Sequence, residues 1–325
     1  MMTTNSRITK TKPGGIITAV EMKRAAALMV IAGATLLPAQ TQPQPAPGTN
    51  PSQAANAPAA RAPIRTKTRE EYEAYKVAIA NAPNPPGMEK AADEFAAKFP
   101  NSEARVLLYR AAMSGYQEIG NPDKMMEMGM KVLAIDKDDP EALIGVAELL
   151  EERTTPTDLD REQREAQVID YASHALKTID TDLAVPEGTA PERIAAYKKY
   201  LRSTALAILG TIYYKQQDFP DAEAKLRDAI STDEANPDPV VVLRLALTLD
   251  QQKKYPDALQ QANRAVELSK EDTDLGRMAR NERDRLVVQT GGTPAVSDAP
   301  AAPKASATQA PTNQTAPPAA VAPGH

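Results

Sequence analysis

Glu148 and Glu151 stand three residues apart, a spacing that sets two carboxylates side by side on one helix face. Such a pair could share a proton or hold a hard cation. Cation sites draw several converging oxygens from a loop, and no such convergence is evident around this pair. The chain has two histidines, His174 and His325. A general base needs placed partners, and His174, between Ser173 and Ala175, reads as a surface or packing residue. The run Met125-Met126-Glu127-Met128-Gly129-Met130 gathers thioethers soft enough for Cu(I). Met125 and Met128 share the face expected to turn inward, where methionine fills irregular gaps, so packing is the simpler reading. There is no cysteine, which excludes disulfides, thiolate metal sites, a cysteine nucleophile and a lipid-bearing cysteine. No nucleophile elbow, H-E-x-x-H, phosphate loop or dinucleotide fingerprint occurs. The expectation is therefore no catalytic residue, no cofactor and no metal.

The elements that would position any site belong to an all-α chain. Helix formers dominate the 325 residues, aromatics make up only 4%, and there is no tryptophan. The formal charge of −5 argues against a nucleic-acid partner, which favours a basic face. Residues 1–39 read as an export signal. Met22-Lys23-Arg24 precedes an apolar run from Ala25 to Leu37, then Pro38-Ala39, with Met22 as an alternative start. That run is too short to span a membrane comfortably, so the mature chain is expected to lack a span. An exported, periplasmic or envelope-associated protein follows, with secretion as an alternative. Residues 40–66 are a Pro/Ala/Gln linker and 291–325 an Ala/Pro/Thr tail, both too polar and proline-rich to bury a core. Residues 67–290 carry the folded domain.

Capping chemistry marks its helix starts. Asn121-Pro122, Asp139-Pro140 and Asp238-Pro239 each put a capping side chain before a first-turn proline. Thr189-Ala190-Pro191-Glu192 reads as a capping box. About eleven helices are expected, near 68–81, 87–98, 103–119, 122–136, 140–153, 160–179, 191–216, 220–232, 239–253, 256–269 and 273–289. Two stretches share a pattern. Leu209-Gly210 through Asp221-Ala222 matches Leu245-Ala246 through Asp257-Ala258, with Gly210 and Ala246 offset by 36 residues. A period near 34 built of two helices is the signature of an α-solenoid. Gly210 is expected to face Ala222 so that two helix backbones approach closely. An earlier unit, 106–139, has Met113 and Met125 at the small positions, which predicts looser contact there.

These units resemble tetratricopeptide repeats over most of 67–290, through Leu209, Gly210, Tyr213, Ala222 and Leu226 and their counterparts Leu245, Ala246, Leu249, Ala258 and Ala265. The middle departs from the period. From Ala147 to Gly210 is 63 residues, and the surplus falls at 153–160 and between Asp180 and Ser203. The resemblance implies a superhelix of antiparallel helix pairs whose first helices line a concave groove. By alignment that places Arg110, Ser114 and Gln117, then Ile144, Glu148 and Glu151, then Thr211, Tyr214 and Lys215, then Leu243, Leu247 and Asp250 in the groove. It further implies a non-catalytic scaffold that binds another protein or a peptide segment there. The asparagines of the family's carboxylate clamp are missing, so that specificity does not carry over. An envelope assembly or chaperone-like factor is an alternative, as is a glycan-binding or enzymatic role for the insertion at 153–202 near Tyr197, Tyr200 and Tyr214. In the last helix, Arg277, Arg280 and Arg283 interleave with Glu282 and Asp284 and read as a solvated face.

Overall fold

The protein is described by a computed structural model over residues 60–292. The segment read as an export signal, the expected linker up to residue 59 and the expected tail from residue 293 lie outside the described residues. Eleven helices occur among them: α1 Arg69–Ile79, α2 Pro85–Lys98, α3 Ala104–Glu118, α4 Pro122–Ile135, α5 Pro140–Arg153, α6 Arg161–Thr178, α7 Pro191–Lys215, α8 Phe219–Thr232, α9 Pro239–Gln251, α10 Tyr255–Leu268 and α11 Asp274–Gln289. Each helix packs on the next, and among second neighbours the closer contacts are α1 with α3, α5 with α7, α7 with α9, and α9 with α11. The odd-numbered helices therefore form an inner layer and the even-numbered ones an outer layer. The fold is an all-α solenoid of antiparallel pairs.

The expected caps form. Asn121 accepts from the Lys124 amide, Asp139 from Ala142 and Asp238 from Val240, and Asp218 adds a further cap by accepting from Asp221. The capping box at Thr189 does not form. Pro191 opens α7, so Ala190 takes the capping position and Thr189 donates instead to the Pro186 carbonyl at 2.8 Å. Three of the turns inside pairs share one backbone. Gly120, Gln217 and Lys253 have φ of 67°, 63° and 61°. The next amide in each case reaches back to the carbonyl of Tyr116, Tyr213 or Leu249 at 2.9 Å. This left-handed closure satisfies the orphan carbonyls of the first helix and aims the chain straight into the second. Glycine adopts it without strain, whereas glutamine and lysine pay a steric cost there.

Packing between the layers depends on missing side chains. A Cβ on Gly210 would lie 2.6 Å from Leu226 Cγ, so the wall facing this glycine is Leu226 on α8, one turn beyond the expected Ala222. The unit with methionines at the small positions is not loose. Gly145 on α5 and Gly129 on α4 leave room for the Met113 sulfur, which would stand 3.2 Å and 3.3 Å from a Cβ at each. Met125 and Met128 are buried core residues. Glutamates on the outer helices then tie each unit to the following turn. Glu89 on α2 accepts from the Tyr116 hydroxyl and from Lys124 at 2.7 Å. Glu165 on α6 accepts from Gln216 at 3.0 Å. Glu223 on α8 accepts from Gln252 at 2.8 Å and Lys254 at 2.7 Å.

The insertion is where the fold departs most from a regular stack. α7 gains its first turns from it, as expected. The loop between α6 and α7 does not lie on the surface: Leu183, Ala184 and Val185 are buried, Ala184 in the core of the first units and the other two in the core of the middle units. The linker also ends earlier than expected. Ile64 is buried in the first core, its amide bonds the Val185 carbonyl at 2.8 Å, and it forms a parallel bridge with Pro186. Residues 60–66 therefore belong to the folded body.

Two outcomes test this packing. Gly210→Ala gains about 1 kcal/mol of helix propensity but collides with the fully buried Leu226, and a net loss of about 1–3 kcal/mol is expected in urea unfolding. Burial works to raise the Glu89 and Glu223 carboxyls, but their cationic partners win and hold both below the usual carboxylate range. A depressed folded-state pKa adds stability above the unfolded value and loses it as pH falls through the folded one. The urea midpoint should drop as pH falls below about 4.5, and Glu89→Gln/Glu223→Gln should flatten that drop.

Candidate functional site

The inner layer presents one row of side chains, contributed by α3, α5, α7, α9 and α11. Six of the residues aligned to it from sequence are buried: Arg110, Ile144, Glu148, Glu151, Thr211 and Leu243. Gln117, Tyr214, Lys215, Leu247 and Asp250 are half-buried, as is Ser114. None stands free in solvent, because each helix hands its polar groups to the next. Gln117 donates to Glu148 at 3.1 Å, joining α3 to α5. Lys215 reaches back from α7 to the Glu151 carboxylate and carbonyl, both at 2.7 Å. Arg244 on α9 donates to Thr211 at 2.5 Å, and Thr211 donates to the Ala207 carbonyl. Arg285 on α11 pairs with Asp250 and with Glu282 at 2.7 Å. The row is thus a polar ladder running across the units.

Arg110 is its most enclosed rung. Its guanidinium contacts Glu141, lies 3.5 Å from the fully buried Asp139, and donates to the Ala184 carbonyl at 2.6 Å. Burial pushes the Asp139 carboxyl up against the pull of this cation and of the Ala142 amide it caps. The insertion loop has seated itself on one of the two cationic groove residues aligned from sequence, the other being Lys215. At Arg110 the inner face is consequently covered by the chain itself.

The second half is more open. Tyr200 is 47% exposed and its ring stacks on Tyr197, with centroids 6.1 Å apart. Tyr214 does not join this pair, since its ring meets Phe219 edge-on at 5.7 Å. Burial and the nearby Glu282 carboxylate push the Tyr214 hydroxyl up, so it stays protonated as a donor. Arg244 is pulled down by burial, opposed by Glu151, Asp238 and Tyr214. Its bonds to Glu282 and Asp250 hold the Arg285 guanidinium firmly charged.

Away from the row, the chemistry weighed from sequence finds structural uses. His174 meets Asp138 at 2.8 Å on the outside of the stack. Arg277 pairs with Asp274, Arg283 with Asp284, and Arg280 donates to the Glu271 carbonyl. No cluster of three or more metal-ligating side chains occurs among the described residues, and no described helix is long and apolar enough to cross a membrane.

Comparison with known proteins finds a family match and similar solved structures. The tetratricopeptide repeat family model matches residues 208–273, which span the end of α7, α8, α9 and α10. Residues 208–273 are thus similar to tetratricopeptide repeats. Two solved structures are similar to it: a thermophilic TPR protein from Thermus thermophilus, and an assembly chaperone of RpL4 (Acl4). The first is 14% identical, covers 65% of this chain and 98% of its own, and has a TM-score of 0.42. The second is 14% identical, covers 68% of this chain and 99% of its own, and has a TM-score of 0.33. No curated protein matches the chain.

Sequence alignment of the repeats missed Glu141, Arg244, Glu282 and Arg285 as members of the row. Arg244 lies 33 residues after Thr211, its partner. That is close to one repeat period, and it was the available signal.

Arg110→Ala would leave Asp139 buried without its cation, and a loss of about 3–5 kcal/mol is expected. Hydrogen exchange should show the Ile64 amide losing protection in the same variant, because its acceptor loop is no longer held at Ala184.

Proposed function

We propose that this protein is a non-catalytic scaffold of the cell envelope that holds a polypeptide segment against the inner face of α7, α9 and α11. The observation that carries the reading is the asymmetry of that face. In its first half the Ala184 carbonyl covers Arg110, whereas Tyr200, Leu247 and Arg285 in its second half keep part of their surface in solvent. The open half combines apolar and aromatic surface with Asp250 and Glu282, against which stand Arg244 and Arg285, and it is bordered on α5 by the buried Glu148 and Glu151, the latter paired with Lys215. Mixed apolar and acidic lining suits an extended or helical segment with some positive charge. The envelope assignment rests on Met22-Lys23-Arg24 and the apolar run that follows.

A photo-crosslinking residue at Leu247 should capture a polypeptide in cells, while the same residue at the exposed outer position Asn263 should not. Equal yields at the two positions would sink the groove reading. A second reading, glycan binding, is favoured by one observation, the stacked Tyr197–Tyr200 pair. Loss of binding to purified peptidoglycan in Tyr200→Ala, with no adduct at Leu247, would select it.

A further inference from the structure

Residues 60–66 sit on the body as a bound peptide would. They form no helix, they precede the Thr68 cap that starts α1, and they hold on through two inserted side chains, a surface ion pair from Arg65 to Glu187 at 3.1 Å and two main-chain bonds. Arg61 inserts its guanidinium between Asp136, at the end of α4, and Glu103, at the start of α3, the latter at 3.2 Å. Its amide donates to the Thr181 carbonyl at 2.6 Å. Ala62 and Pro63 face solvent. Ile64 is 5% exposed, sunk into the same core as Ala78 and Phe95, and its amide donates to Val185 at 2.8 Å. Pairing an extended segment with one strand while two side chains fill separate pockets is a general mode of peptide recognition.

A cleft beside Arg61 is left unfilled, and three of its lining residues are acidic. A cavity of about 490 Å³ lies beside the guanidinium, bounded by Val106, Ile135 and three carboxylates, Glu103, Asp136 and Asp182. One cation among three anions leaves the cleft short of positive charge. Its walls come from α3, α4 and the loop after α6, none of which needs residues 60–66 to form its helices or caps.

We propose that this edge cleft is a second polypeptide site, distinct from the open half of the inner face. Its ligand class is an extended segment with arginine three residues ahead of a branched aliphatic side chain. Arg61–Ile64 is its resident occupant, and a segment of the same chemistry from another polypeptide exchanges with it. The site stands independently of the groove reading above, because it uses other helices and other residues.

The test uses the full chain with a spacer carrying a protease site inserted after Thr66 and cut after folding. The cut protein should keep its helical circular dichroism and release the upstream piece on dilution. A fluorescent peptide of residues 60–66 should then bind it saturably. Peptides with Arg61→Ala or Ile64→Asp should bind at least tenfold more weakly, as should the native peptide to a Glu103→Gln/Asp136→Asn body. The proposal is overturned if the cut piece stays bound and cannot be exchanged, or if all three peptides bind alike or not at all. Loss of helical signal on cutting would likewise overturn it, by making residues 60–66 an inseparable part of the core.

Discussion

A helical hairpin with apolar residues on both broad faces cannot cover itself. Every other feature of this chain answers that constraint. Leu209, Ile212, Leu245 and Leu249 are buried only because the next pair stacks against the one that carries them. Close stacking needs helix backbones to approach, and Gly210, Gly129 and Gly145 permit it by leaving room for Leu226 and Met113. Burial brings polar groups along. Glu89, Glu165 and Glu223 accept from side chains of the following pair, and the inner row passes hydrogen bonds from α3 to α11. The repeat is thus reproduced at three levels, in backbone closure, in apolar notch and in polar tie.

The insertion breaks the repeat and is absorbed by the same rules. Twelve residues link the end of α6 to the start of α7. They contribute Ala184 to one core and Leu183 and Val185 to the next, so the loop acts as a wedge between two sets of helices. Arg110 is what makes the wedge acceptable. A buried loop carries carbonyls that must find donors, and this guanidinium supplies one while answering Asp139 and Glu141. A side chain expected to meet a partner has become internal cement.

How much of this was legible in the sequence depended on range. The helices, the caps at Asn121, Asp139 and Asp238, and the turn before Pro220 and Pro256 are written in neighbouring residues, and they stand where local chemistry put them. The inner row was legible only through the period. It placed Thr211 and Asp250 on that face but overlooked Arg244 and Arg285, whose long side chains reach it from positions that read as ordinary helix charges. The burial of residues 60–64 was not legible. Among prolines and alanines, one isoleucine and one arginine give no periodic signal, and their partners lie more than forty residues away. Leu183-Ala184-Val185 was the available hint, three apolar residues in a stretch otherwise polar.

The parallel bridge between Ile64 and Pro186 sets an order of events. Nearly all other contacts in the stack join neighbouring helices, so most of the fold has low contact order and can assemble as it is made. This contact spans about 120 residues. At a synthesis rate of about 5–20 residues per second, Ile64 must wait on the order of 6–24 s for Val185 and Pro186 to appear. Through that interval the first core is open at one edge, and its isoleucine site is vacant. Whatever meets the nascent chain then meets it with that edge uncovered.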